Sequence, residues 1–403
     1  MRNKRLILVL LLLMFISITF SGCWNRREVQ QLSIATGFGI DIVEVDGRSQ
    51  FRLSVLALQT AEMAATGNTT QMGSQSSVGT ARVISSYGDT IYDALRNWNL
   101  RSSRQLFLGH AWILVLGNSV TSEGLGQVLD FLNRHKDVRF RTMVVAYEGS
   151  AREALQAKPE FENMASLEIQ QLILQNGPRV SKIETVDIFQ LTYDLLTPGR
   201  ELVLPCLQLI TPPEEQSQAV NGMPSSENGP QNKVVRVTGS VVYRNYQPVG
   251  TLNVDQTQGM LFIKNEFKTG IIPISIFGQN YSILLRKASS KINLQYDQAG
   301  LTINVKIKGT GTIQEGGSKI NEIIPERIEQ YEEVLNQAVI RRCNDALAKS
   351  QQLRSDVFCF GDKIHRQDPK LWKEISEQWE EIYPGIDVNV SADFAIENYG
   401  PVK

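Results

Sequence analysis

Residues 111–117 read AWILVLG and residues 140–147 read FRTMVVAY, two runs in which most positions are apolar. Strands covered on both faces of a sheet have this composition. Between the runs, apolar residues recur at three- and four-residue steps and predict an amphipathic helix: Leu125, Val128, Leu129 and Leu132. Another helix is expected to begin at Ala151–Leu155. The order strand, helix, strand, helix predicts a mixed sheet with helices packed on it.

The chain before this unit has the pattern of a β-hairpin. Residues 32–45 and 51–58 are rich in β-branched residues, and Asp46-Gly47 between them forms tight turns readily. Gly37-Phe38-Gly39 resembles part of a dinucleotide-binding loop, but no third glycine follows and no helix opens there. We therefore interpret these glycines as marking a β-bulge. Ile91, Ala94, Leu95 and Trp98 then predict a helix capped by Asp89.

The middle of the chain alternates between regular elements and one long polar segment. Helices are predicted at 167–174 and 186–196, followed by a strand at 201–210. Residues 211–232, TPPEEQSQAVNGMPSSENGPQN, have the composition of a linker or exposed loop. The elements after it are predicted to be short β-segments with turns at Asn245 and Gly250: Val234–Tyr243, Pro248–Val254 and Met260–Ile263.

The last third predicts an antiparallel sheet covered by helices. Residues 281–285, 291–296 and 301–307 alternate apolar and polar residues, as strands with one wet face do. The glycine-rich run 309–317, GTGTIQEGG, is expected to be a flexible turn. Residues 321–353 carry a one-faced apolar pattern and predict the longest helix, which would lie across the sheet. A helix with Trp372, Ile375 and Trp379 and a last strand at 386–396 complete the section.

These patterns predict an α+β protein of three domains, with mixed or antiparallel sheets and helices packed on them. The predicted boundaries are 1–22 for a lipoprotein signal peptide, 23–185 for an N-terminal α/β domain, 186–265 for a small middle domain with the polar loop 211–232, and 266–403 for a C-terminal α+β domain. Residues 23–403 amount to 381 residues, too many for a single core.

The N-terminus has the three parts of an export signal. Arg2, Lys4 and Arg5 precede a predominantly apolar run from Leu6 to Phe20, and Ser21-Gly22-Cys23 follows. A cysteine after small residues at the cleavage point can be lipidated and become the new N-terminus, so Cys23 is the predicted lipid-attachment residue. The alternative is an uncleaved membrane anchor, but a membrane span needs about 20 apolar residues and this run has 15.

Composition excludes several other classes. Without Arg2, Lys4 and Arg5 the chain keeps 38 basic and 42 acidic residues, which gives no support for nucleic-acid binding. The three cysteines besides Cys23 lie far apart, without zinc or redox spacing. We predict that Cys206, Cys343 and Cys359 are buried free thiols, although one disulfide remains an alternative.

No catalytic or metal-binding motif is found. The three histidines, His110, His135 and His365, are scattered and are predicted to have structural roles. Serine-nucleophile, zinc-protease and phosphate-loop motifs are missing. We therefore predict a protein without catalytic residues, metal or cofactor. A pair of distant carboxylates could still assemble a glycosidase site, so an exported hydrolase stays an alternative.

Several stretches along the chain carry a family resemblance through their order and spacing: Cys23–Glu28, Gly39-Ile40-Asp41, Leu108–Ala111, Arg134 with Arg139 and Arg141, Gly149–Leu155, Gly239–Val242 with Gly250, Asp356–Gly361, His365, Trp372, Trp379 and Tyr383-Pro384. Together they resemble the Ger(x)C family of spore germination lipoproteins, from the lipobox (the short motif that ends at Cys23) to the last strand. Two positions depart from the family's usual pattern: Asn25, where Asp is frequent, and Phe20 in the lipobox.

The resemblance implies the non-enzymatic C subunit of a nutrient germinant receptor. Such a subunit would be anchored by its lipid in the spore inner membrane, face outward, and act with membrane-embedded A and B subunits. The family carries no agreed set of ligand-binding residues, so the ligand-binding residues are unknown. For an exported hydrolase, the substrate would be the spore wall (cortex). A solute-binding lipoprotein that captures the germinant itself is a third hypothesis.

Overall fold

The computed structural model describes residue 7 and residues 31–58, 81–120, 122–211, 233–297, 300–316 and 327–398. Cys23 lies outside these residues, as do almost all of the predicted signal peptide, residues 212–232 of the predicted polar loop and residues 321–326 of the predicted long helix. Among the described residues, no helix combines the length and the apolar character needed to cross a membrane.

The predicted N-terminal hairpin is confirmed. Strand β1 (Leu32–Val45) pairs antiparallel with β2 (Arg48–Leu58), and Asp46 and Gly47 connect them with φ of 50° and 74°. Positive φ at both turn residues is what a type I′ hairpin requires, because its twist matches that of the strands. The predicted bulge is present between Ala35 and Gly37. Strand β3 (Ala81–Gly88) extends the hairpin on the far side of β2.

The first sheet continues through parallel strands and ends in another hairpin. Strands β4 (Gln105–Phe107) and β5 (Ile113–Gly117) both pair parallel with β1; β6 (Met143–Tyr147) and β7 (Val203–Ile210) follow in parallel. Strands β8 (Val234–Arg244) and β9 (Gln247–Asn253) then close it in antiparallel order. The order is β3-β2-β1-β5-β6-β7-β8-β9, with β4 beside β1, which makes the sheet mixed, as predicted.

Helices cover both faces of this sheet. They are α1 (Ile91–Asn97), α2 (Ser122–Arg134), α3 (Ala151–Leu155), α4 (Ala165–Gln171), α5 (Gly177–Val180) and α6 (Ile188–Leu196). Along β5, Leu114 and Leu116 face one apolar core while Ile113 and Val115 face the other. This is why residues 113–116 are apolar at every position. The cap of α1 differs from the prediction: the Thr90 side chain, not Asp89, accepts the hydrogen bond from the Asp93 N–H.

The segment predicted as a small middle domain is divided between two cores. Its strands β7, β8 and β9 belong to the first sheet rather than to a sheet of their own, whereas residues 260–263 form part of a helix, α7 (Val254–Lys264), and not a strand. Asn253 and Gln256 form a capping box that starts α7, a stronger local signal than the short apolar run that follows. The expected turn at Gly250 is also wrong, because Gly250 lies within β9. The predicted domain boundaries themselves stay a prediction.

The second sheet has four strands. Strands β10 (Gly270–Ile276), β11 (Gln279–Asp297) and β12 (Gly300–Gly316) are antiparallel, and β13 (Asp387–Asn398) pairs parallel with β12. The predicted turn at 309–317 is wrong, since residues 309–316 are strand. Gly309 is required by crowding instead: a Cβ there would lie 2.3 Å from the Lys287 carbonyl oxygen and 2.5 Å from the Phe394 ring.

The predicted long helix is confirmed as α8 (Ile328–Gln352), which at 1.5 Å per residue spans roughly 37 Å. Its buried face packs with the second sheet and with α7; it carries Tyr331, Leu335, Val339, Cys343 and Leu347.

The predicted helix around the two tryptophans is broken into short helices: α9 (Phe360–Gln367), α10 (Pro369–Ile375) and α11 (Trp379–Ile382). Pro369 explains one break, because proline is tolerated at the start of a helix and not inside it.

Candidate functional site

The three histidines are scattered over the fold and pack against aromatic rings. His110 meets Phe107 edge-on at 5.6 Å between ring centroids, and His365 lies 6.0 Å from Trp372. His135 lies between Phe131 and Tyr92, and burial lowers its pKa. In the described part of the chain, no group of His, Cys, Asp or Glu side chains is arranged to hold a metal ion.

The three described cysteines are free, as predicted. The prediction that all three are buried is wrong for Cys359. Cys206 and Cys343 are buried, whereas Cys359 is partly exposed. Burial raises the pKa of the Cys206 thiol to about 11 and that of Cys359 to about 12. A thiol reacts as its thiolate, so these groups are poor nucleophiles at neutral pH.

A buried polar cluster lies where the first hairpin meets α3. The Asp41 carboxylate forms an ion pair with Arg52 at 2.9 Å and accepts hydrogen bonds from the Ala151 N–H and the Ser150 hydroxyl. Ser150 also caps α3 by accepting from the Arg152 N–H. Asp41 is 2% exposed, so these donors replace the water that a carboxylate would otherwise bind.

This Asp41 cluster joins two of the stretches that carried the family resemblance. Gly39-Ile40-Asp41 lies on β1, and Gly149–Leu155 contains α3. Glycine at 117 leaves the necessary room, because a Cβ there would lie 2.0 Å from the Asp41 Oδ1. All donors come from the protein, which makes the cluster a structural clamp between the hairpin and α3.

A second polar cluster connects the first sheet with α9. Arg200, just before β7, donates to Asp194 of α6 at 2.7 Å and to Asp362 of α9 at 2.9 Å, and Arg366 also donates to Asp362. Burial alone would raise the pKa of Asp362, but the two arginines outweigh it and lower that pKa. Asp362 therefore stays ionised and links elements that lie 162 residues apart.

Close to this cluster, Lys264 at the end of α7 lies 2.6 Å from Glu184 and 3.1 Å from Glu266. Burial raises the pKa of Glu184 to about 7 against the attraction of Lys264. Removing one member of such a buried pair leaves an uncompensated charge. The pair therefore fixes the segment before α6 to α7.

A cleft of about 320 Å³ lies beside these clusters and is lined by Arg200, Lys264, Glu266, Asp362 and Arg366, together with Cys359, Lys363 and Gln367. Phe358 and Cys359 in its lining belong to residues 356–361, DVFCFG, another stretch of the family resemblance. Asp356 accepts from the Gly361 N–H at 2.7 Å, and burial raises the pKa of Asp356 to about 6. Gly199 packs on the same turn with φ of +74°, and a Cβ there would lie 2.5 Å from both Gly361 and Asp362.

A groove of about 1020 Å³ lies between the start of α1 and the length of α2. It is lined by apolar, aromatic and charged side chains, among them Tyr92, Phe131, His135, Asp130 and Arg134. Asp130 and Arg134 form an exposed ion pair at 2.6 Å. This combination of rings and charges suits a small polar ligand. The sequence analysis identified α2 but not the groove, since nothing local indicates which helix lies beside it.

Two family models match the chain in sequence order. The model for the spore germination protein N-terminal domain matches residues 25–209. The model for the spore germination B3/GerAC-like C-terminal domain matches residues 238–400. Spore germination protein KC of Bacillus subtilis (strain 168) is 25% identical over 419 residues, covering 100% of this chain and 98% of that protein. Spore germination protein B3 of the same organism is 20% identical and covers 96% of both chains.

The fold also matches a solved structure. The crystal structure of the GerBC protein has a TM-score of 0.55 at 16% identity, covering 90% of this chain and 98% of that chain. The chain belongs to the Ger(x)C family of spore germination proteins, and its role is in spore germination. The family resemblance predicted from the motifs is thereby confirmed.

Proposed function

We propose that this protein is a lipid-anchored, non-enzymatic subunit of a spore nutrient germinant receptor, acting with membrane-embedded A and B subunits to trigger germination. The observation that carries this proposal is the family match across both parts of the chain, residues 25–209 and 238–400. The proposed location is the spore inner membrane, with the folded body facing outward.

The anchor is proposed on Cys23. Ser21-Gly22-Cys23 directly follows the apolar run, as a lipid-modified cysteine requires. A diacylglyceryl group would place two acyl chains in the bilayer, and two chains hold a protein stably where one does not. Confinement to a thin layer above the membrane raises the effective concentration toward membrane-embedded partners. A broad and weak interface with those partners then suffices.

The test is a Cys23→Ala variant expressed in place of the natural chain, with Cys359→Ala as a control that keeps the proposed lipid site. We expect the Cys23→Ala protein to leave the membrane fraction, to lose co-purification with the A and B subunits, and to abolish nutrient-triggered germination. Normal germination with a fully released protein would refute the anchored-subunit proposal. The Cys359→Ala protein is expected to remain membrane-bound.

A second candidate function is capture of the germinant by this chain, and the 1020 Å³ groove favours it. A protein that binds a nutrient is stabilised by it, so the melting temperature would rise with nutrient concentration. A thermal-shift series over amino acids, sugars and nucleosides tests this, with Tyr92→Ala as the variant in which any shift should disappear. Absence of any shift would leave ligand sensing to the other subunits.

The remaining alternative, hydrolysis of the spore wall, is tested with purified protein on cortex peptidoglycan. Our proposal expects no release of muropeptides. Release that survives mutation of single buried carboxylates would point to a contaminating enzyme, whereas release lost with one of them would overturn the non-enzymatic proposal.

A further inference from the structure

One edge of the first sheet is defined by the amino ends of its parallel strands. Gly37 of β1 pairs with Ile113, the first residue of β5, and Ile113 pairs with Met143, the first residue of β6. β1 itself begins further out on the same side, at Leu32. Gly37 therefore lies two strand spacings, roughly 10 Å, from the start of β6, and the start of β1 lies five residues, roughly 17 Å, further out on the same side.

The same edge is the one closest in sequence to Cys23. Seven residues, 24–30, separate Cys23 from Gln31, where the described chain enters β1. Eight Cα–Cα steps of about 3.5 Å give a reach of at most about 28 Å. A lipid on Cys23 would thus keep the amino edge within about one domain radius of the bilayer, whatever path the connecting residues take.

Four exposed apolar or aromatic side chains lie at this edge: Phe140, Phe189, Tyr193 and Leu196. The Phe189 N–H donates to the Phe140 carbonyl at 3.0 Å, and the Ile188 N–H donates to Thr142, directly before β6. Phe140 is 49% exposed and Phe189 62%, and Phe189 stacks on Tyr193 with ring centroids 6.4 Å apart. Leu196 continues the same outer face of α6 at 60% exposure.

This arrangement is not the ordinary outcome for a helix on a sheet. The inner face of α6 buries Ile188, Leu191 and the ion-paired Asp194, as expected. Its outer face, which water should cover, carries Phe189, Tyr193 and Leu196 at four- and three-residue steps. A contiguous exposed apolar surface of this kind marks a contact with a partner or a membrane.

Basic residues flank the aromatic ones. Arg139 and Arg141 are exposed on either side of Phe140. Neither guanidinium forms an ion pair within the described residues, in contrast to Arg200 nearby. Aromatic rings at the headgroup level with arginines beside them are the combination that binds the interface of an anionic bilayer.

We propose that the surface formed by Arg139, Phe140, Arg141, Phe189, Tyr193 and Leu196 rests on the anionic lipid bilayer as a second membrane contact. The proposal rests on the proposed lipid anchor at Cys23. The anchor gives retention, and this surface gives orientation: with two points of contact the sheet stands with its amino edge down. The opposite edge, with the Asp41 cluster and α3, then points away from the membrane.

The test measures the depth of single side chains in vesicles of phosphatidylglycerol and phosphatidylethanolamine whose acyl chains carry bromine. Phe140→Trp and Phe189→Trp are made in a Trp24→Phe background, and the lipidated full-length protein is reconstituted. Tyr87→Trp is the matched control, because Tyr87 is an exposed ring that pairs with Arg52, opposite Asp41, toward the other edge of the sheet. We expect bromine to quench at least half of the added emission at 140 and 189 and little at 87.

Charge reversal provides the second arm. Arg139→Glu with Arg141→Glu should reduce the quenching at 189 several-fold in anionic vesicles while the protein stays bound through its lipid. In vesicles of phosphatidylcholine alone, quenching at 189 should be weak both for the charge-reversed protein and for the protein that keeps Arg139 and Arg141. Equal quenching at 87 and 189, or none at either in vesicle-bound protein, would overturn the proposal.

A chain starting at residue 24 with a hexahistidine segment in place of the lipid separates this proposal from the anchor. Held on nickel-chelating lipids in the same anionic vesicles, it should show the same quenching pattern. If the natural chain did not float with vesicles but the nickel-held chain still showed the quenching pattern, the lipid anchor would be refuted and the membrane-contact surface would stand. Vesicle binding without quenching, combined with crosslinking of position 189 to another receptor subunit in spore membranes, would assign the surface to a protein partner and refute bilayer contact.

Discussion

The Asp41 carboxylate and the Ala151 N–H lie 2.8 Å apart, although 110 residues separate them in the chain. The contact lies at the carboxyl side of β1, where the hairpin, β5 and α3 meet. Two further residues complete the cluster: Arg52 from β2, and Ser150, which caps α3. One buried carboxylate therefore holds together segments that the sequence places far apart.

Asp41→Asn should destabilise the first sheet substantially. The amide keeps the volume but leaves the half-buried Arg52 without its counter-ion, and removing one partner of a buried pair costs about 3 kcal/mol. Urea unfolding of the mature chain measures the loss. Asp130→Asn is the matched control, because its ion pair with Arg134 is exposed and should change nothing measurable. Equal stability of both variants would show that the Asp41 cluster is not a clamp.

Gly199→Ala should separate α9 from the first sheet. The new Cβ would lie 2.5 Å from the backbone of Gly361 and Asp362, in addition to the strain of a φ of +74°. Gly47→Ala has the same φ with open space around it, so it costs only the left-handed strain of about 1–2 kcal/mol. We expect Gly199→Ala to lose clearly more stability than Gly47→Ala. If thermal unfolding showed the same loss of stability for both variants, the junction between α9 and the first sheet would accommodate the added Cβ without a further free-energy penalty.

Stability should fall as the pH rises from about 4.5 to about 8, in part through Glu201. Burial raises the pKa of Glu201 to about 8, with further contributions from Asp356 and Glu380 against Arg244. Between the two pKa values the folded chain keeps Glu201 protonated, whereas the unfolded chain releases this proton near the ordinary pKa of glutamate. The free energy of unfolding therefore falls over this range, by up to about 1.4 kcal/mol per pH unit.

Glu201→Gln removes this titration and should flatten the pH dependence of the free energy of unfolding. It should leave stability near pH 5 almost unchanged and raise it near pH 9. Glu44→Gln, at an exposed site on β1, is the control and should leave the slope as it is. Parallel curves for the natural chain and Glu201→Gln would contradict the prediction.

The amide of Phe394 should exchange faster in Asn336→Ala. Asn336 of α8 accepts a hydrogen bond from the Phe394 N–H at 2.9 Å, and Glu332 accepts one from the Ile396 N–H at 2.8 Å. Loss of one such bond is worth about 1 kcal/mol, which corresponds to roughly fivefold faster local exchange. Hydrogen exchange with mass spectrometry over residues 387–398 measures it. Asn304→Ala, on β12, is the control and should leave that segment unaffected.

Local patterns predicted the parts of the fold whose signal lies within one element. The apolar runs at 111–117 and 140–147 each contain a buried strand, and the Asp46-Gly47 turn predicted the hairpin. The long helix α8 followed from its one-faced periodicity. In each case the residues that carry the signal are neighbours along the chain.

The errors arose where contacts between residues far apart in the sequence determine the local structure. Residues 260–263 are surrounded by apolar side chains in the second core, so a four-residue apolar run could not distinguish a helix from a strand. The glycines at 309–311 are explained by Phe394 and Leu285, which come from other strands. The Asp41 and Arg200 clusters join elements that are over 100 residues apart, and no spacing rule predicts which partners they find.

Strand β13 ends the second sheet, and an unpaired strand at the end of a sheet can recruit a strand from another molecule. Here the side chains of Asn336 and Glu332 occupy backbone donors of β13 that such a strand would need. The helix therefore does more than bury the sheet: it protects the protein against edge-to-edge aggregation. If the protein is held in a membrane layer, as proposed above, blocking the edge at β13 removes one route to assembly at high local density.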